Sequence, residues 1–234
     1  MLYRDLHPIT EIADSLVLYP VGDYPHLRSV QTVPVVLTEA ERVAAEYPLA
    51  WQRIAGKMTL VALTCLEAGE NAPLIPLDGD GEPLLLALKS YPFAVGAIDE
   101  VTSLPVLYDH APARKAARPL PLYDRNGRLH LHALRRLAAA RIFTHGMGLT
   151  ALLSQRLEEA GALQPWEFAL QFEKRAISIS GLFILDRDVT MKNQKIGRIV
   201  EECGRDIVRL CELHEISLYR MHSLASGYAK IAYS

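Results

Sequence analysis

Apolar and polar positions change their period along this chain, and the changes predict its elements. From residue 15 to about 98 the apolar positions come in short runs, which suits strands better than long helices. Residues 15–19 form one such run. Residues 27–37 form another, carrying Val30, Thr32, Val33, Val35 and Val36, side chains that fit a pleated surface. Pro34 inside it has no N–H to give a ladder, which places the run at a sheet edge or a bend. Thr38-Glu39-Ala40-Glu41 has capping-box spacing, with Thr38 as N-cap and Glu41 three residues on. It predicts a helix to about residue 46, stopped at Tyr47-Pro48 because proline disfavours helical geometry in the residue before it. Residues 58–66 are almost continuously apolar over a strand's length, as in a strand buried on both faces. Asp78-Gly79-Asp80-Gly81 predicts a hairpin turn, with strands following over 84–89 and 93–98.

Further on the period lengthens. Leu134, Leu137, Ala138, Ile142, Leu149, Leu152, Leu153 and Leu157 recur at helical spacing, predicting a long helix over 134–160. Gly146-Met147-Gly148 is a candidate break in it, and Gly161 a C-cap. Trp166, Phe168, Leu170 and Phe172 then alternate with Glu167, Ala169, Gln171 and Glu173, as in a half-buried strand. Residues 176–185 pair back across a turn at 173–175, and 193–225 read as mostly helical. Asp124-Arg125-Asn126-Gly127 is a turn. The proline-rich, basic stretch 112–121 reads as an exposed loop and an internal boundary. The expected fold is α+β: an N-terminal, mostly antiparallel sheet with a short helix, a long central helical segment, a β-hairpin and C-terminal helices. It is read as one domain over 1–234.

Composition narrows this picture. Half of the 234 residues are hydrophobic and 22% are charged, enough apolar surface for a sizeable core. A net charge of −2 exerts no general pull on nucleic acid or anionic lipid, so neither is expected as a partner. The first residues lack a basic segment followed by an apolar one, and no apolar stretch reaches the ~18–20 residues of a membrane span. The expected location is the cytoplasm. Cys65, Cys203 and Cys211 show no metal or redox spacing and read as reduced thiols.

No phosphate-binding glycine loop, dinucleotide fingerprint, zinc-protease helix or serine-hydrolase elbow occurs in the chain. No cofactor is implied. His130-Leu131-His132 is the best metal-like pattern, because residues i and i+2 of a strand face one side and two imidazoles can share an ion. Asp124 and His145 are the groups a tertiary contact would have to add, against the unfavourable charges of Arg135 and Arg136. Glu212, His214, Glu215 and His222 place carboxylates and imidazoles along the C-terminal helical segment. That is the raw material of acid–base chemistry, and equally of surface ion pairs. Glu67, Glu70 and Asn71 at the end of a buried strand are candidates for a polar pocket. Arg114, Lys115 and Arg118 form a basic loop with few aromatics.

A set of segments, taken in order, resembles the SapC family of bacterial proteins. They begin with His26-Leu27-Arg28, Val33-Pro34-Val35-Val36-Leu37 and Glu46-Tyr47-Pro48-Leu49, and continue with Leu60-Val61-Ala62-Leu63 and Glu70-Asn71. Ser90-Tyr91-Pro92-Phe93-Ala94, Leu122-Tyr123-Asp124, residues 157–165, residues 180–186 and residues 218–224 follow. Lys89-Ser90 stands where the family usually has an arginine pair. The resemblance implies an accessory or binding protein without a familiar catalytic motif, tied to nutrient uptake or to modification of a surface molecule. It implies a partner encoded nearby, either halogenase-like or linked to a TonB-dependent receptor. On this reading Tyr91, Phe93, Glu70, Asn71 and His222 are the candidate binding residues, and His130 and His132 the candidate metal ligands. A metal-dependent enzyme using a histidine–carboxylate cluster, and a structural subunit of a larger assembly, are the alternatives.

Overall fold

The structure, a computed structural model, describes residues 2–9, 16–67, 82–96, 106–114, 118–171, 176–186 and 194–232. The turn expected at Asp78–Gly81 lies outside these residues, as do Glu70 and Asn71. The protein is α+β, and its residues fall into two compact units, 1–30 with 74–145, and 31–73 with 146–234.

The first unit contains β1 (Leu6–Pro8), β2 (Val17–Leu18), a 3-10 segment (Pro25–Ser29), α2 (Leu86–Lys89), β6 (Phe93–Val95), β7 (Val106–Asp109) and β8 (Leu120–Pro121). Its sheet runs β1-β7-β6, all antiparallel, and β2 pairs with β8. Leu16, Leu18, Phe93, Tyr108, Leu122, Ala133, Leu137 and Ala140 form its core. The strand expected over 84–89 is a single helical turn instead. The Lys89 and Ser90 N–H groups return to Leu85 and Leu86 carbonyls at 2.8 Å, and Ser90 Oγ caps Ala87 O at 3.0 Å. A short run buried on every side carries no period to tell the two apart.

The second unit contains β3 (Thr32–Pro34), α1 (Leu37–Ala44), β4 (Leu49–Ile54), β5 (Lys57–Leu63), β9 (Leu163–Gln171), β10 (Ala176–Leu185), α4 (Gln194–Cys203), α5 (Arg205–Ser217) and α6 (Arg220–Ala232). One antiparallel sheet runs β3-β5-β4-β10-β9. Pro34 sits on its edge strand, as its missing N–H requires. The expected run 27–37 yields only β3 as strand, because Pro25 opens the 3-10 turn before it. Ile179 pairs with Phe168 and Leu182 with Trp166, so β10 holds one extra residue there. Gly181, at φ +76, absorbs this bulge.

The helix α3 (Leu131–Glu159) starts in the first unit and ends in the second, without a break at Gly146–Gly148. Gly146 is there for contact: a Cβ on it would stand 2.9 Å from the Val36 Cβ. Gly161, at φ +67, closes the helix, with the Ala162 N–H bonded to Leu157 O at 2.9 Å.

The helix α1 starts one residue before the expected cap. Val36 is extended, and Glu39, not Glu41, reaches back to its N–H at 3.2 Å. The orphan Leu37 N–H is taken by Thr150 Oγ1 at 2.9 Å. A residue distant in sequence thus does the capping assigned to Thr38. Glu41 instead forms an ion pair with Arg209 of α5.

Candidate functional site

In the first unit Tyr91 and Phe93 are fully buried. Tyr91 is the centre of an aromatic cluster with Tyr3, Tyr24 and His26, whose rings lie 5.8, 4.6 and 5.4 Å from its own. Its hydroxyl donates to Asp109 Oδ2 at 2.9 Å. Asp109, 1% exposed, also accepts the N–H groups of Arg4 at 3.0 Å, Asp5 at 2.9 Å and Ala111 at 3.2 Å. Burial, then the neighbouring carboxylate, drives the Tyr91 phenol well above its ordinary pKa, and burial lifts Tyr24 to about 12. Arg136 crosses beneath, donating to Tyr91 O at 2.9 Å and Tyr19 O at 2.8 Å. With four donors on one carboxylate, this node is a clasp that ties residues 3–5 to the β7 end.

His130 and His132 are not on a strand. His130 precedes α3 and His132 lies in its first turn, with rings stacked 5.1 Å apart at 16°. Imidazole lone pairs lie in the ring plane, so nearly parallel rings aim theirs side by side. Asp124 Oδ1 is committed to its own turn, accepting the N–H groups of Asn126 at 2.8 Å and Arg128 at 2.9 Å. His145 is about 20 Å further along the helix at 1.5 Å per residue. Among the described residues no group of three or more His, Cys, Asp or Glu is placed to hold a metal ion.

The C-terminal cluster is rearranged most. His214 is not a surface residue: it is 0% exposed. Its Nδ1–H donates to Leu49 O at 2.9 Å, and its Nε2 accepts the Leu185 N–H at 3.3 Å, which makes it a neutral imidazole. Ser217 Oγ accepts the Leu49 N–H at 2.8 Å and donates to His214 O at 2.6 Å. Trp51 lies against the His214 ring, centroids 4.9 Å apart, and its Nε1–H donates to Ser154 Oγ at 3.1 Å. These bonds join β4, β10, α3 and α5 inside the second unit. His222 is exposed on α6, and a turn at Leu218–Tyr219 separates it from Glu215, so the two do not share one continuous helix face.

Where β10 ends beside α5, a half-open cleft of about 550 Å³ is lined by Gln164, Ile184, Leu185, Asp186, His214, Glu215 and Leu218. Two carboxylates, an amide and an imidazole share the lining with three aliphatic residues. Ile216 and Tyr219, next to it in sequence, are 61 and 80% exposed. The cleft was missed in the sequence because Gln164, Asp186 and Glu215 meet only through strand pairing and helix docking. Of its polar lining, only His214 and Glu215 had stood out.

These features define an α+β protein with a buried hydrogen-bond network in each unit and a cleft of mixed polar and apolar lining. A SapC family model matches residues 14–224 of the 234-residue chain. The chain belongs to the SapC family. No curated protein and no solved structure matches it. Among the described residues no helix is long and apolar enough to cross a membrane.

Proposed function

We propose that the protein is a non-catalytic accessory protein of the cytoplasm that binds its partner or ligand at the cleft between the β10 end and α5. The observation that carries this reading is the cleft itself. Its volume falls within the roughly 300–1,000 Å³ of small-ligand sites. Its one imidazole has both ring nitrogens engaged in buried hydrogen bonds, so it serves as floor and not as a base. Gln164, Asp186 and Glu215 give it a polar side, and Ile184, Leu185 and Leu218 an apolar one. The family resemblance ties such a role to nutrient uptake or to modification of a surface molecule, through a halogenase-like or receptor-linked protein encoded nearby.

Amide chemical-shift mapping with hexanol as probe tests it. Shifts are expected around residues 184–186 and 214–218, lost in the Leu218→Glu chain. Clear turnover in a broad substrate screen, abolished by one point substitution, would sink the non-catalytic reading.

One observation supports the metal-dependent alternative. His130 Nδ1 is buried and lacks a hydrogen-bond partner among the described residues, beside the His132 ring. Elemental analysis of chelator-free protein decides it. Absence of metal, or metal content unchanged by His130→Ala and His132→Ala, ends that version.

A further inference from the structure

Residues 2–5 lie against the aromatic cluster of the first unit and are held there mainly by polar bonds. The Tyr3 ring stacks on Tyr91 at 5.8 Å and 21°, and its hydroxyl donates to Phe93 O at 3.0 Å. The Arg4 and Asp5 N–H groups both end on the Asp109 carboxylate, and Asp5 O accepts the His110 N–H at 3.1 Å. Beyond them β1 is a short edge strand, paired with β7. Arg4, Asp5 and Leu6 are exposed, so little apolar surface fixes the segment. A stretch tied this way at a sheet edge opens at lower free energy than the core behind it. His26 is in contact with it: a backbone hydrogen bond joins the ring to Leu2, and the Arg4 charge acts on it. On another side the ring meets Tyr24 and Tyr91, at 6.3 and 5.4 Å, and both of these are buried in the core.

We infer that protonation of His26 releases residues 2–5 as a latch, while the sheet behind them stays folded. His26 is 6% exposed, and its Nε2 is buried without a hydrogen-bond partner among the described residues. As a neutral ring it packs there as an aromatic. As an imidazolium it would hold a buried charged N–H with no acceptor, which costs far more than a neutral orphan. The groups facing it do not remove that cost. Arg4 on the latch opposes the charge, and the terminal amino group acts in the same sense, and least. Asp109 on β7 favours it, but that carboxylate already holds four donors, and burial and Arg4 outweigh it. Burial keeps the Tyr24 and Tyr91 phenols neutral. Tyr24 and Tyr91 cannot give way without opening the core, whereas the latch can lift. Lifting moves the Arg4 charge away, admits water to Nε2 and takes two donors off Asp109, which then answers the new charge. Closed, the ring is neutral; open, it returns to its ordinary 6.5. The opening constant therefore rises about tenfold from pH 7.5 to 5.5.

Amide hydrogen exchange of the full chain at pH 7.5 and 5.5, corrected for the intrinsic pH dependence of exchange, tests this. Protection of the Arg4 and Asp5 amides is expected to fall about tenfold. The Asp109 amide, bonded to Pro92 O at 2.9 Å within the unit, is expected to keep its protection. The ring signals of His26 should titrate together with the Arg4 amide. In His26→Gln the fall is expected to vanish. In Arg4→Gln, a change at an exposed residue that leaves His26 in place, it is expected to shrink, and this variant carries the test if His26→Gln folds poorly. Unchanged protection of Arg4 and Asp5 in the parent overturns the inference. A fall that persists in His26→Gln also overturns it, because another group, such as Asp109, would then be the one that titrates. So does a fall shared by the Asp109 amide, which would be unfolding of the sheet and not release of a latch, or a fall in Arg4→Gln as large as in the parent.

Discussion

Replacing Ser217 by alanine isolates the bond that holds the floor of the cleft. Ser217 Oγ accepts the Leu49 N–H at 2.8 Å and donates to His214 O at 2.6 Å. Leu49 and Ser217 are both 0% exposed, so water does not replace the hydroxyl. The loss is unequal for the two partners. His214 O keeps a second donor, the Leu218 N–H at 3.3 Å, whereas the Leu49 N–H is left with none. A buried amide without an acceptor costs about 1–3 kcal/mol. For a chain of this size that corresponds to roughly 2–4 °C of Tm for each kcal/mol. The direct assay is hydrogen exchange at the Leu49 amide, expected to speed up by about 5- to 150-fold if it opens with the second unit. Urea unfolding followed by tryptophan fluorescence, from Trp51 and Trp166 of the second unit, gives the equilibrium value. Ser223→Ala, at an exposed helical serine, is the control and should stay within about 0.5 kcal/mol of the parent. A Leu49 amide as slow as in the parent, with an unmoved urea midpoint, would refute the reasoning.

Other perturbations test other joints. Thr150→Val removes the acceptor of the Leu37 N–H at the start of α1 and should cost about 1–2 kcal/mol by urea titration. Gly146→Ala drives a methyl to 2.9 Å from Val36 and should cost about 1–3 kcal/mol. Gly148→Ala, which meets nothing within 4 Å, should stabilise by about 0.5–1 kcal/mol; equal effects at the two glycines would contradict the packing described. His26 has its pKa lowered below the ordinary 6.5, first by burial and then by the Arg4 guanidinium, with Asp109 opposing. The unfolded chain therefore takes up this proton first. Its contribution to stability is present above pH 6.5 and lost as pH falls through the folded value. The urea midpoint should drop from pH 7.5 to 5.5, and drop less in His26→Gln; a midpoint that rises on acidification would reverse the sign.

The elements legible in the sequence were those whose pattern is local and repeated. The alternation from Trp166 to Gln171, the run back over 176–185 and the leucine spacing of α3 each appear in the structure. Residues 84–89 misled because an apolar run buried all round has no period. The His130–His132 pair was read with strand spacing and stands instead at the start of α3, where the two rings stack 5.1 Å apart. Of the cleft's polar lining, only His214 and Glu215 were visible beforehand. His214 was read as a surface group, because a histidine between two glutamates on a helix looks solvated until the facing strands are known.

What the sequence determined by itself is the α+β class, the antiparallel hairpin, the helical period of the central segment and membership of the SapC family. These depend on neighbours within a few residues, or on motif order along the chain. Only the tertiary structure decided which polar groups are buried and satisfied. Asp109 gathers donors from residues 4, 5, 91 and 111, and His214 bonds to residues 49 and 185, spacings no local period encodes. A buried polar group must find its partner wherever the fold brings one. For that reason the clasp at Asp109, the capping of α1 by Thr150 and the composition of the cleft became visible only once the strands were paired and the helices docked.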